Sequence, residues 1–228
     1  MVLIKIILHL PQLTTLLNKC VIMKEKEDVN TEQAIMEAAE KEFLDKGYTL
    51  TKTTEIARIA GVNHAMLHYY FRTKDNLFEK VFQKKVALLA NSFMPKVEEK
   101  MPFMEKVEYI VKAHFDFLAS NPKLPFFVLN EFLTNKERLD RFSTIAGPAI
   151  RILLEKLNSE MEEAIKKKEI CVVDPVHLLL DIVSLNVFAF LAHPIIERVA
   201  GSFGKEYYSL LAEKRIENVE IILRRLRP

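Results

Sequence analysis

Residues 53–71 hold the tightest constraint in this chain of 228 residues, because two short apolar runs are separated by only Gly61-Val62-Asn63. The first run, from Thr53, places Ile56, Ala57 and Ala60 on one face. Thr53 is the expected N-cap, its hydroxyl facing the amides of Glu55 or Ile56. The second run, His64 to Tyr70, follows Asn63, another capping residue. Gly61 ends the first helix, since glycine takes the left-handed conformation without a Cβ clash. Alanines at 57 and 60 let the second helix cross closely over the first, with Val62 filling the angle.

The flanks are helical too. Ile35, Ala38, Ala39 and Phe43 recur at spacings of three and four, predicting a helix capped by Asn30, answered by Gln33 and ended by Gly47. Thr73 is a cap for a fourth helix from Lys74 through Phe78, Val81, Phe82, Val86 and Leu89 to a stop before Pro95. With 5 glycines in 228 residues and long stretches rich in Ala, Leu, Ile, Glu and Lys, there is little material for tight hairpins, and the fold class is all-α. Half the residues are apolar and 28% are charged, which excludes a disordered tail or a collagen-like repeat. Two short helices joined by a three-residue glycine turn form the helix-turn-helix of DNA-binding proteins.

The run TTEIARIAGVNHAMLHYYFRTKDNL, residues 53–77, resembles the signature of the tetracycline-repressor (TetR) family. It matches at Thr53, Ala57, Gly61, Val62, Leu67, Tyr70, Phe71, Lys74 and Leu77, with the threonine-to-isoleucine spacing offset by one position. It departs at Asn63, where serine is usual, at Ala65, where glycine is usual, and at His68, where tyrosine is usual. The resemblance implies a three-helix DNA-binding domain over residues 31–77, with the motif at 52–71. Helix four joins it to a larger helical domain, residues 78–228, that binds a small-molecule effector and dimerises. It also implies that the residue at 68 and Lys74 hold backbone phosphates. The partners expected are a palindromic operator in double-stranded DNA, a second copy through residues 175–200 and 205–226, and an effector of unknown identity.

Leu67 and Phe71 face inward, leaving His64, Ala65, Met66, His68 and Tyr69 as groove candidates beside Tyr70. His64 can donate to guanine N7 or O6, and Ala65 and Met66 can touch a thymine methyl. Asn63 and Thr53, at helix N-termini, suit phosphate oxygens. His64 and His68 also have the i, i+4 spacing of metal ligands, but no third ligand adjoins them and H-E-x-x-H is absent, so no metal or cofactor is expected.

The overall charge of +2 averages unlike segments. Residues 31–46 carry two basic against five acidic residues, whereas residues 47–85 carry seven against three. Positive charge thus gathers where the motif lies.

Farther on, Pro102, Asn121-Pro122, Pro125, Gly147-Pro148, Asp174-Pro175 and Gly201 to Gly204 punctuate further helices, one of them spanning 148–169. On that helix Glu162 to Lys166 and Glu163 to Lys167 are favourable i, i+4 pairs on a solvated face. Aromatics crowd residues 109–132, and the family's arrangement implies that helix 103–120 and the helix after Pro125 line one cavity. Candidates for an effector site are His114, Phe117, Phe127, Asn130, Glu131, His177 and Asn186, with Ser184 and His193 as further polar groups in apolar runs. Such a pocket suits a hydrophobic or amphipathic molecule. The segment 176–196 reads as a helix buried on both sides rather than a membrane span, because His177 and Asp181 interrupt it. A last helix, 205–226, places Tyr208, Leu211, Val219, Ile222 and Leu226 on one stripe.

Residues 1–30 form an extension, in which Met1 to Leu10 is too short for a bilayer and Met23 is an alternative start. Cys20 and Cys171 have neither zinc nor disulfide spacing, and a reducing cytoplasm is the simplest compartment. No Ser/His/Asp grouping, glycine-rich phosphate loop or metal cluster marks an enzyme. A catalyst acting in the aromatic cavity and a lipid-associated protein anchored by residues 1–10 are the rival readings.

Overall fold

The computed structural model describes residues 11–93 and 101–228, and every regular element among them is a helix. They are α1 (Pro11–Leu50), α2 (Thr53–Ile59), α3 (His64–Phe71), α4 (Lys74–Phe93) and α5 (Phe103–Ser120), followed by α6 (Leu124–Thr134), α7 (Lys136–Lys166), α8 (Pro175–Leu191), α9 (His193–Ser202) and α10 (Tyr207–Leu226). Residues 1–10, on which the lipid-anchor reading rests, and Pro95, the expected stop for the fourth helix, lie outside the described residues. The chain divides into two compact units, Met1–Phe82 and Gln83–Pro228.

In the first unit the expected apolar stripe is the core: Ile35, Ala38, Ala39 and Phe43 of α1 are buried with Ile56, Ala57, Leu67, Phe71, Leu77, Phe78 and Val81. Phe43 stacks on Tyr48 and meets Phe78 edge-on at 5.2 Å. Ala60 is only half-buried. Gly47 kinks α1 with φ 73° and ψ 173°, a conformation open essentially to glycine, and helical turns resume to Leu50. Buried Thr51 closes the bend by donating to the carbonyls of Glu42 and Gly47. The start expected at Asn30 is not found. Helix α1 enters from Pro11, so Asn30 lies inside it, and Gln33 donates to Glu37 at 2.6 Å instead of reaching back.

The second unit is built around Val107 and Val111 of α5, Met161 and Ala164 of α7, Leu178 and Ile182 of α8, and Val219, Ile222 and Leu226 of α10. Helix α7 runs through Pro148, where the sequence predicts a break. A proline costs one helical hydrogen bond, but the flanking turns are long, Asn135 caps the start, and the Ser143 and Thr144 hydroxyls add carbonyl bonds just upstream. Its outer face near the end is exposed, with Glu162 accepting from Asn158.

Helix α8 is not buried on both sides. Leu178, Ile182, Asn186, Ala189 and Phe190 face the core, whereas Val176, Leu180, Val183 and Phe188 are exposed in the single chain. Uniform apolarity in the sequence conceals that asymmetry, because a helix covered on one face and a helix covered all round read alike. Helix α10 is anchored by Tyr207, whose hydroxyl donates to the Ala189 carbonyl, while Tyr208 turns outward at 77% exposure. The stripe therefore runs through Tyr207 rather than Tyr208. No single described helix is long and apolar enough to cross a membrane; α8 and α9 reach that length only together and bend by 74°.

Candidate nucleic-acid interface

Helices α2 and α3 meet across a junction fixed by local bonds. Gly61 has φ 69°, and the Val62 amide reaches back to the Ala57 carbonyl at 3.0 Å. Asn63 caps α3, its side-chain oxygen accepting from the Met66 amide at 2.8 Å. Leu67 and Phe71 plug the core, which turns His64, Ala65, Met66, His68 and Tyr69 to solvent and leaves Tyr70 half-buried, edge-on to Tyr69. Tyr69 is 68% exposed, an unusual position for an aromatic that no partner covers in the single chain.

Thr53 does not cap α2. Lys52 holds the cap position without a side-chain bond, and the Thr53 hydroxyl instead meets His64 Nε2 at 2.9 Å, tying the starts of α2 and α3 together. Helix α4 begins on Thr73, whose oxygen accepts from the Asn76 amide. Lys74 lies over the Tyr48 ring, 4.2 Å from its centre, with its ammonium 3.5 Å from the Thr49 carbonyl. The α3–α4 connection is a strained turn: Arg72 has φ 63° and ψ −55°, and the Thr73 amide bonds the Phe71 carbonyl two residues back. A non-glycine residue held there points to a local function.

These side chains share an open groove of about 430 Å³ lined by Lys52, Thr53, Thr54, His64, His68, Arg72, Thr73 and Lys74, among others. Among the described residues, its charged lining consists of cations. Four of the expected contacts, Thr53, His64, His68 and Lys74, come together here. Lys52 and Arg72 were not among the sequence candidates; basic residues beside a helix start and a helix end are the signal that marks them. Ala65, Met66 and Tyr69 stand on the exposed surface of α3, outside the groove lining. A cationic groove flanking an exposed short helix is an arrangement for phosphate and base-edge contact.

Residues 35–81 match the family model for bacterial regulatory proteins, tetR family. That stretch is a tetR-family helix-turn-helix domain. The chain is similar to helix-turn-helix transcriptional regulators along most of its length. It is 25% identical over 152 residues to the HTH-type regulator YhgD of Bacillus subtilis, covering 64% of this chain and 75% of that one. The HTH-type transcriptional regulator RutR of Escherichia coli K12 is 25% identical over 198 residues, 86% of this chain and 90% of its own. In fold, the chain is similar to a TetR-like transcriptional regulator from Rhodococcus sp. RHA1, with a TM-score of 0.58, 20% identity, and coverage of 86% and 94%.

In the larger unit, the expected effector residues are spread over several places. His114 and Asn186 meet: Asn186 Nδ2 lies 3.1 Å from His114 Nδ1 and donates to the Val111 carbonyl at 3.0 Å, while Asn218 donates to Asn186 Oδ1 at 2.9 Å. Both asparagines are fully buried, and burial pushes the His114 imidazole down from 6.5 to about 4. Phe117 and Phe127 are buried. Glu131 is buried in an ion pair with Arg138. Asn130 and His177 are exposed and do not join them. His193 stacks on Tyr207 at 4.0 Å, and Ser184 donates to the Asp181 carbonyl on the surface. A separate cleft of about 540 Å³ is lined by Ser184, Phe188, Ala189, Ile196, Leu210 and Lys214, among others. Among the described residues no group of three His, Cys, Asp or Glu side chains could hold a metal ion.

Proposed function

We propose that this chain is a homodimeric, ligand-responsive repressor that binds a palindromic operator through residues 31–77 and releases it when residues 78–228 take up a small effector. The observation that carries the DNA assignment is the groove in which His64, His68, Arg72 and Lys74 converge beside the exposed face of α3. Thr53, Asn63 and Lys74 serve the phosphates; His64, Ala65, Met66 and Tyr69, with His68 and Tyr70 beside them, meet the DNA along the major groove. A two-fold dimer sets two such helices about 34–36 Å apart on successive major-groove faces. Exposed Leu180, Val183 and Phe188 on α8 and Tyr208, Ile216 and Ile221 on α10 supply an apolar face for that dimer within residues 175–200 and 205–226. The effector is hydrophobic or amphipathic, because the larger unit offers an interior of Phe115, Phe117, Phe127 and Phe190 with His114 and Asn186 as its polar pair. Coupling of roughly 1–3 kcal/mol between effector and operator suffices for 5- to 150-fold release. A cytoplasmic location goes with this role.

Selection of bound duplexes from a random pool tests the reading. A palindromic site should emerge, and compounds should then be screened for release of that site. Lys74→Ala should weaken binding to all sequences alike and flatten the salt dependence by about one phosphate contact. A pool that yields no palindrome would sink the assignment.

A further inference from the structure

The groove beside α3 holds two histidines among cations, and among the described residues no carboxylate lines it. His64 and His68 stand one turn apart on α3. Lys52, just ahead of α2, and Arg72 and Lys74, which flank the start of α4, complete its charged lining. The carboxylates nearest in sequence lie outside that lining and are engaged: Glu55 on α2 takes both bonds from Arg58, and Asp75 on α4 accepts from the Tyr48 hydroxyl. On α1, Glu42 is paired with Lys46. The free protein thus offers these histidines cationic company and no lining carboxylate to stabilise an imidazolium. A nucleic-acid backbone reverses that balance, because each phosphate supplies the missing negative charge.

We propose that this TetR-family groove takes up protons on His64 and His68 as it binds DNA, so that operator affinity is set by pH. The inference rests on the DNA-binding reading above. In the free protein the Thr53 hydroxyl occupies His64 Nε2, fixing the ring at the junction of α2 and α3. Protonated, each imidazole gains a second N–H, and two donors can serve a phosphate and a neighbouring acceptor at once. At position 68 the family's usual tyrosine offers one hydroxyl, whereas a histidine offers two ring nitrogens and can take up a proton when a phosphate comes beside it.

The sign follows from linkage. If the complex binds more protons than the free partners, affinity rises as pH falls, by up to about tenfold per pH unit for each proton taken up. Binding of a labelled duplex of random sequence should be measured by fluorescence anisotropy at low salt between pH 8 and about 5.5. The full-length protein should bind more than about tenfold tighter at pH 6 than at pH 8, with a steeper salt dependence at the lower pH. Calorimetry in buffers of different ionisation enthalpy should register net proton uptake. His64→Gln combined with His68→Gln should abolish the pH slope, whereas Lys74→Ala should weaken binding and keep it. Circular dichroism at each pH checks that the variants stay folded. DNA binding that is flat with pH, or a slope that survives in the double variant, would overturn the proposal while leaving the DNA-binding reading intact. Failure to bind duplex at any pH would remove that reading, and this inference with it.

Discussion

The ends of α3 and the core of the larger unit are each fixed by polar bonds of different reach. At the two ends of α3 the capping and turn contacts join near neighbours, Asn63 with Met66, Thr73 with Asn76, and the Thr73 amide with the Phe71 carbonyl, and the Thr53–His64 contact spans eleven residues. In the larger unit they join residues far apart: Asn186 with Val111 and His114 of α5, Asn218 of α10 with Asn186 of α8, and Arg215 of α10 with Asp116 of α5. Local bonds distribute the cost of order over many small terms. Long-range polar bonds concentrate it in a few residues whose loss strands several buried partners at once.

The largest effect should therefore come from a node of the second kind. Asn186→Ala removes a side chain that touches the Val111 carbonyl, His114 and Asn218, and leaves them buried without it. Stranded polar groups of this kind cost about 1–3 kcal/mol each, and neighbours couple, so a total loss of about 4 kcal/mol is expected. Urea denaturation of the purified protein measures it. A loss below about 1 kcal/mol would show that the network is replaceable by water and would erase the contrast between the units.

His114 gives the same network a pH signature. Its folded value, about 4, lies below its ordinary 6.5, so between those values the unfolded chain binds more protons than the folded one. Stability contributed by keeping the ring neutral is fully present above about pH 6.5 and is lost progressively as pH falls toward 4. The loss approaches about 3 kcal/mol at the acid end. His114→Gln, which has no proton to gain, should flatten this part of a stability-versus-pH curve. An equally steep curve in the variant would place the acid sensitivity elsewhere.

The same contrast explains what could be read from the sequence. Gly61, Asn63 and Thr73 act within three or four residues of themselves, so their chemistry and spacing announced the reader before any fold was known. Asn30 misled because capping requires that the chain upstream be non-helical, and the turns from Pro11 settle that, not Asn30. Thr53 misled because its hydroxyl has a better partner eleven residues away in His64. Pro148 misled because a long helix absorbs one lost bond. In the larger unit, His114, Glu131 and Asn186 stood out as polar residues in apolar runs, but only the fold reveals that Asn186 serves His114, that Glu131 serves Arg138, and that Asn130 faces solvent. The charge of Arg72 beside a helix end was legible, but its strained turn was not, since that depends on how α3 and α4 are anchored on either side of it.

The smallest effect provides the sharpest comparison, because one substitution can be made in both units. Asn63 caps α3, a helix of 8 residues, and Asn135 caps α7, a helix of 31, each accepting a backbone amide three residues on. Replacement by alanine should cost about 1 kcal/mol in either place, because the lost bond is the same. The functional consequences should differ. In α3 the first turn carries His64, Ala65 and Met66, and fraying there disorders side chains proposed to meet DNA. In α7 the first turn lies far along the chain from that surface, and the remaining turns hold the helix in register. Asn63→Ala should therefore lower duplex affinity several-fold by anisotropy, while Asn135→Ala, with a matching shift in thermal midpoint, should leave it unchanged. Equal losses of DNA binding would mean that affinity follows global stability, and the reader could not then be treated as locally determined.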